Sequence, residues 1–172
     1  ISIAPEPWLA TLPLSMVFIA SMLSTLPASL LMGRFGRKII FIIAAIIGVV
    51  ACLLLAQATI IASFTLFIIA SVMLGLTHGV AQFYRYAAAD NAEKDQKAKA
   101  LSLVLAGGIL AAFLGPNLTR MTFTAIPDHI YAGCFLAAAL VQATAFLALP
   151  FLRIKPPDPA EMRGAAVPIG TI

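Results

Sequence analysis

The stretch SLLMGRFGRK, residues 29–38, places three cations and two glycines in the short gap between two long apolar runs. Positive residues are retained on the cytoplasmic side of a membrane, so they fix the orientation of the segments that flank them. The stretch is therefore predicted to be a tight cytoplasmic loop that joins two transmembrane helices. The direction of each later helix follows from it.

The composition places the chain in a bilayer. Of its 172 residues, 62% are hydrophobic and 10% are charged, which is too apolar for a soluble domain of this length. The net charge is +4, but the cations lie in short clusters between apolar runs, so no nucleic-acid partner is expected. Cys52 and Cys134 lie inside apolar runs at a spacing that suits neither a redox pair nor a metal site.

Hydropathy divides the chain into five apolar segments, each near the ~20 residues that cross a bilayer. They cover residues 9–31, 39–58, 63–85, 100–120 and 130–150. The predicted fold class is an all-α membrane protein whose five transmembrane helices form one bundle over residues 1–152. The second segment is almost wholly aliphatic and is predicted to face lipid. Residues 153–172 are rich in proline and are predicted to begin a cytoplasmic linker.

The distribution of Lys and Arg predicts the orientation of the bundle. With the N-terminus outside, three cations of residues 33–38, four of residues 85–99 and three of residues 153–163 lie in the cytoplasm, and Arg120 alone lies outside. The loop of residues 121–129 is then external. The chain begins without a charged region and a cleavage site, so its first apolar segment is predicted to be a transmembrane helix of a fragment and not a signal peptide.

Residues 33–38, GRFGRK, are similar to the loop signature between helices 2 and 3 of the major facilitator superfamily of secondary transporters. The residues that match are Arg34, Gly36, Arg37 and Lys38. The resemblance implies that they form a gating loop, in which Gly33 replaces the usual aspartate. Because Asp90 is the first acid after the third segment, Arg37 is predicted to pair with Asp90.

A second motif lies in the fourth segment. Residues 107–116, GGILAAFLGP, resemble the helix 5 signature of antiporters of the same family. Gly107, Ala111 and Gly115 form a stripe of small residues that allows another helix to approach closely, and Pro116 is expected to bend the segment. The resemblance implies helices 2 to 6 of an N-terminal half, with the first helix and the C-terminal half of the same transporter outside this chain.

The third segment carries the candidate transport site. Ser71, Gly75, His78, Gln82 and Arg85 follow at spacings of four, three, four and three, so they are predicted to share one helical face. Ionisable groups at membrane depth usually face a bundle interior or a water-filled cavity. His78, Gln82 and Arg85 are therefore predicted to line the substrate or proton pathway. The alternatives are a histidine hydrogen-bonded to a neighbouring helix and an arginine that anchors the interface.

The expected function is secondary active transport of a small solute by alternating access, in the form of proton-coupled efflux, without a cofactor. An enzyme is not expected, because the apolar segments contain no Asp or Glu. The alternative is a degenerate or truncated module that interacts in the membrane without transport, since Gly33 weakens the loop signature. The expected location is the bacterial inner membrane, with lipid and the solute as partners.

Overall fold

The computed structural model describes residues 3–92 and 96–151, and these form helices joined by short turns. The elements in chain order are a 3₁₀ helix Pro7–Thr11, α1 Leu12–Phe35, α2 Arg37–Ile60, α3 Phe64–Ala81, α4 Tyr84–Asn91, α5 Lys97–Thr122, α6 Ala132–Ala148 and a 3₁₀ helix Leu149–Phe151. The predicted all-α fold class is confirmed. The predicted linker of residues 153–172 lies outside the described residues.

Four helical stretches of the described ranges are long and apolar enough to cross a membrane. They run Pro7–Phe35, Arg37–Ile60, Phe64–Ala88 and Lys97–Thr122. The fifth predicted segment forms α6, which is apolar but has only 17 residues. At ~1.5 Å per residue α6 is roughly 26 Å long, close to the ~30 Å thickness of the hydrocarbon core.

A single residue, Gly36, separates α1 from α2. Its φ of 88° and ψ of 148° are essentially restricted to glycine, and its N–H donates to the Met32 carbonyl at 3.0 Å. The predicted loop of residues 29–38 is therefore too long, since α1 continues to Phe35 and α2 begins at Arg37. The cations on either side of Gly36 extend the two helices, because the last turn of α1 favours a cation such as Arg34.

Glycines bring α3 against α1. A Cβ atom added to Gly75 would lie 2.7 Å from the Cβ of Ala20, and one added to Gly79 would lie 2.6 Å from the carbonyl oxygen of Ser21. Side chains at these two positions would prevent the contact. The Ser24 hydroxyl of α1 also donates to the Leu76 carbonyl at 3.4 Å, which adds a hydrogen bond between the two helices.

The central helix of the packed group is α2, which contacts α3 and α6. Ala45, Ala51 and Ala58 are fully buried, and the Thr77 hydroxyl of α3 donates to the Ala44 carbonyl at 3.1 Å. The prediction that this aliphatic helix faces lipid is wrong. Its alanines, together with large side chains such as Phe41 and Leu55, form the face on which neighbouring helices pack, while Ile43 on the other face is exposed.

By contrast, α5 has no buried residue. It contacts α4, which precedes it, and α6. The described chain therefore consists of a packed group, α1, α2, α3 and α6, and one long apolar helix whose surface the other described helices leave open.

Candidate functional site

His78 and Gln82 lie one turn apart at the end of α3. The Nε2 atoms of the two side chains are 3.4 Å apart, and both side chains are exposed. Within the described ranges, the imidazole therefore has a hydrogen-bonding partner on its own helix. Because an imidazole and an amide are costly in hydrocarbon, this face of α3 requires contact with water or with protein.

The opposite face of α3 is apolar and borders a cavity of about 470 Å³ between α1, α2 and α3. Leu76 and Val80 line this cavity. Leu76 precedes His78 by two residues, and Val80 precedes Gln82 by two residues. A separation of two residues is about 200° of rotation around the helix axis. The polar pair therefore points away from the apolar cavity, and it lies beside the glycines that contact α1, since Gly75 and Gly79 are each about 60° from one member of the pair.

Arg85 lies on a different helix from His78 and Gln82. The Phe83 N–H donates to the Val80 carbonyl at 3.0 Å, only three residues back, and this tightened turn ends α3 before α4 begins. The prediction of one continuous face through Arg85 is therefore wrong. Its guanidinium lies 5.0 Å from the ring centroid of Tyr86 and donates to the Tyr86 hydroxyl at 3.4 Å. Its Nε is buried without a described partner.

The Arg37 guanidinium contacts the Asp90 carboxylate, which is the pair expected from the sequence. The contact joins the first residue of α2 to α4. Both side chains are partly exposed, at 21% and 42%, so water screens the interaction. The structure thus supplies the acid that Gly33 lacks, and a gating function of the pair stays a prediction.

The other two cations of the predicted gating loop have different surroundings. The Lys38 ammonium donates to the Pro150 carbonyl at 2.7 Å and so ties α2 to the 3₁₀ turn after α6. The Arg34 guanidinium lies 5.4 Å from the ring centroid of Phe35, and it has no ionic partner in residues 3–92 and 96–151. The cations around Gly36 therefore connect α2 to two separate parts of the bundle.

A hydrophobic cluster lies beneath these polar contacts. The rings of Phe41 and Tyr84 meet edge to face with centroids 4.6 Å apart, and Met32, Ala87 and Leu149 are buried around them. These residues come from α1, α2, α4 and the turn after α6. The end of the bundle that carries Arg37 is thus closed by apolar packing as well as by charge.

The stripe of small residues on α5, formed by Gly107, Ala111 and Gly115, has no packing partner among the described residues. A Cβ atom added to Gly107 or Gly115 would have nothing within 4 Å, and Ala111 is exposed. The helix continues through Pro116 without interruption. Close packing of the stripe and bending at Pro116 stay predictions.

Comparison with known proteins identifies the family. The sequence-family model described as Major Facilitator Superfamily matches residues 7–168. The chain belongs to the major facilitator superfamily. A curated relative, the riboflavin transporter RfnT of Brucella anthropi, is 37% identical over 175 aligned residues, which cover 99% of this chain and 43% of the relative. The chain thus spans less than half the length of that relative. No solved structure matches the chain.

Two glycines that pack α3 against α1 were not predicted as packing residues. Gly75 and Gly79 form a G-x-x-x-G pattern, which is typical of close helix contacts in membranes. The sequence prediction placed Gly75 on the same face as His78, whereas in the structure the backbone of α1 packs against Gly75. The spacing of the two glycines was the signal that could have revealed the contact.

Proposed function

We propose that these helices belong to a transporter that carries a small solute across the membrane by alternating access of two helical halves, without covalent chemistry. The observation that carries the proposal is the exposed His78 and Gln82 pair on an apolar membrane helix. Membership of the superfamily supports the same function. The proposed location is the bacterial inner membrane, in agreement with a bacterial relative.

The surroundings of α3 restrict where the solute can bind. One side of the helix is occupied by α1 through Gly75 and Gly79, and Leu76 and Val80 border the apolar cavity. The remaining face carries His78 and Gln82. We infer that this face lines a water-filled pathway completed by segments beyond this chain, because hydrocarbon would not solvate the two polar groups.

The chemistry of the pair suits a solute that both donates and accepts hydrogen bonds. A neutral imidazole and a carboxamide each offer a donor and an acceptor. The relative is named a riboflavin transporter, so we propose a planar heteroaromatic solute of the riboflavin type. Histidine also changes charge close to neutral pH, so we assign coupling to protons to His78. The motif of α5 favours antiport, in which the proton and the solute move in opposite directions.

The proposal is tested with the full-length protein in proteoliposomes. Transport of radiolabelled riboflavin is measured over a series of pH values, with imposed proton gradients of either direction, for the wild type and for His78→Gln. The variant preserves hydrogen bonding but cannot be charged. It should therefore give a normal folded yield and lose the pH dependence of transport.

The second histidine provides the comparison variant. His129 is the last residue of the predicted external loop and lines a cavity at the opposite end of the bundle. Loss of the pH dependence in His129→Gln, together with its retention in His78→Gln, would contradict the assignment of proton coupling to His78. If His78→Gln instead lowers the folded yield while the surviving protein transports normally at each pH, His78 is a packing residue. A folded wild-type protein that moves no riboflavin under either gradient would contradict the proposed solute.

A further inference from the structure

A second cavity, of about 440 Å³, lies at the end of the bundle opposite Arg37. The turn after α2 and the first turns of α3 and α6 surround it. Phe67, Tyr131 and Phe135 line it with aromatic side chains. The rings of Phe67 and Phe135 meet edge to face with centroids 5.7 Å apart. A cavity volume of this size and an aromatic lining are typical of sites that bind small molecules.

Polar groups also reach this cavity. Asp128, His129 and Tyr131 line it, and the side chains of Asp128 and Tyr131 are exposed. In the described part of the chain, none of these three side chains has a hydrogen-bond partner. A carboxylate, an imidazole and a phenol are thus available beside an aromatic wall, which gives the cavity a few directional groups within an apolar lining.

Some residues that line this cavity have an uncommon backbone conformation. In the described ranges, the non-glycine residues with positive φ are Ala62 at 51°, Asp128 at 66° and Tyr131 at 73°. All three line this cavity. Such conformations are uncommon outside glycine and concentrate at functional sites, where the surrounding structure imposes them. Here the Phe123 carbonyl accepts the Tyr131 N–H at 2.8 Å and helps to hold the turn.

We propose that this cavity is an external binding site for a planar heteroaromatic solute that carries N–H donors. The rings of Phe67, Tyr131 and Phe135 contact the solute, and the Asp128 carboxylate accepts its N–H hydrogen bond. The cation distribution predicts that this end is outside the cell, so the solute contacts this site at the external end of the pathway that passes His78. The use of riboflavin as the probe rests on the proposed function, whereas the cavity and its chemistry do not.

Binding is tested with the purified full-length protein and riboflavin, whose own fluorescence is quenched when its ring stacks on aromatic side chains. Asp128→Asn removes the charge but suits the left-handed backbone, because asparagine tolerates positive φ. It should weaken riboflavin binding about tenfold, as expected for a lost hydrogen bond to a charged group. The matched control is Glu6→Gln, which removes an external carboxylate that bonds Trp8 and does not line the cavity. Its affinity should be that of the wild type.

A second variant tests the aromatic wall. Tyr131→Asn also suits the left-handed backbone, and it removes one ring, so binding should weaken about fivefold. Wild-type affinity in both Asp128→Asn and Tyr131→Asn would overturn the external site. Equal weakening by Glu6→Gln would also overturn it, because the effect would then be one of general surface charge.

Parallel binding and transport measurements separate this site from the proposed function. If riboflavin binds with the expected dependence on Asp128 but is not transported, the external site stands and the proposed solute fails. If riboflavin is transported while Asp128→Asn leaves binding and transport at low solute concentration unchanged, the proposed function stands and the external site fails.

Discussion

Two helices of this chain, α3 and α5, carry small residues at four-residue spacing, yet their surroundings differ. A Cβ atom added to Gly75 or Gly79 of α3 would overlap α1, whereas one added to Gly107 or Gly115 of α5 would meet nothing within 4 Å. The spacing shows that a helix can be approached closely. It does not show whether the approaching segment belongs to the same stretch of chain.

The two helices can differ in this way because the medium that surrounds membrane helices is lipid and not water. Lipid tails are as apolar as leucine side chains, so hydrophobicity alone does not drive membrane helices together. Association depends on shape and on hydrogen bonds, and α3 has both in its glycines and in the Thr77 and Ser24 hydroxyl contacts. In α5 the hydroxyl of Ser102 bonds back to its own helix, at the Ala98 carbonyl.

The largest effect is expected at the contact between α3 and α1. Gly79→Ala would place a methyl group against the Ser24 hydroxyl and 2.6 Å from the Ser21 carbonyl oxygen. Overpacking of this kind should lower the free energy of unfolding by about 3 kcal/mol, despite a gain of ~1 kcal/mol in helix propensity. Thermal unfolding of the purified full-length protein measures the change.

Gly108→Ala in α5 is the matched control for Gly79→Ala. An added Cβ at Gly108 has nothing within 4 Å, so only the helix propensity changes, and the protein should be as stable as the wild type or slightly more stable. Equal stability of the two variants would remove the distinction between α3 and α5.

The positions of the helices could be predicted from hydropathy, but their ends and faces could not all be predicted. Arg34 and Arg37 suggested a loop, although the helices continue to either side of Gly36. No proline or glycine marks the break between Ala81 and Tyr84, so the face of His78 was extended to Arg85. Tertiary contacts decide such ends, and a local pattern does not contain them.

The polar contacts could likewise be predicted from the sequence only in part. The proximity of His78 and Gln82 follows from helical spacing, and the contact of Arg37 with Asp90 could be predicted because few acids were available. The hydrogen bond from Lys38 to the Pro150 carbonyl joins residues 112 positions apart, and a backbone acceptor leaves no signal in the sequence. In α2, alanine and isoleucine are both apolar, so hydropathy did not distinguish the buried face from the exposed one.

An intermediate effect is expected at the small stripe of α5. We expect a segment beyond the described chain to pack on this stripe in the full-length protein. Gly115→Leu should then lower the free energy of unfolding by about 2 kcal/mol through overpacking. Ala106→Leu, nine residues and therefore about 180° from Gly115 on the same helix, should be tolerated. Comparable folded yields and melting temperatures for both variants would indicate that the stripe faces lipid.

The smallest effect is expected at the boundary between the two regions, where Arg37 of the packed group contacts Asp90 of α4, the helix that leads to α5. The partial exposure of both side chains limits the pair to ~1 kcal/mol or less. A change of that size would leave the folded yield unaffected. It would still shift a near-balanced equilibrium between two transporter conformations about fivefold, and so change the transport rate.

A charge reversal separates pairing from the effect of each charge alone. Arg37→Asp and Asp90→Arg should each reduce transport of the proposed solute by the full-length protein, and the double variant should recover part of the rate because opposite charges face each other again. Arg34→Asp is the control, since Arg34 has no ionic partner in the described ranges, so adding Asp90→Arg should not rescue it. A double reversal no faster than the slower single variant would show that the contact does not couple α2 to α4. The packed group and α5 would then have to be linked during transport by apolar packing, such as that of Phe41 on Tyr84.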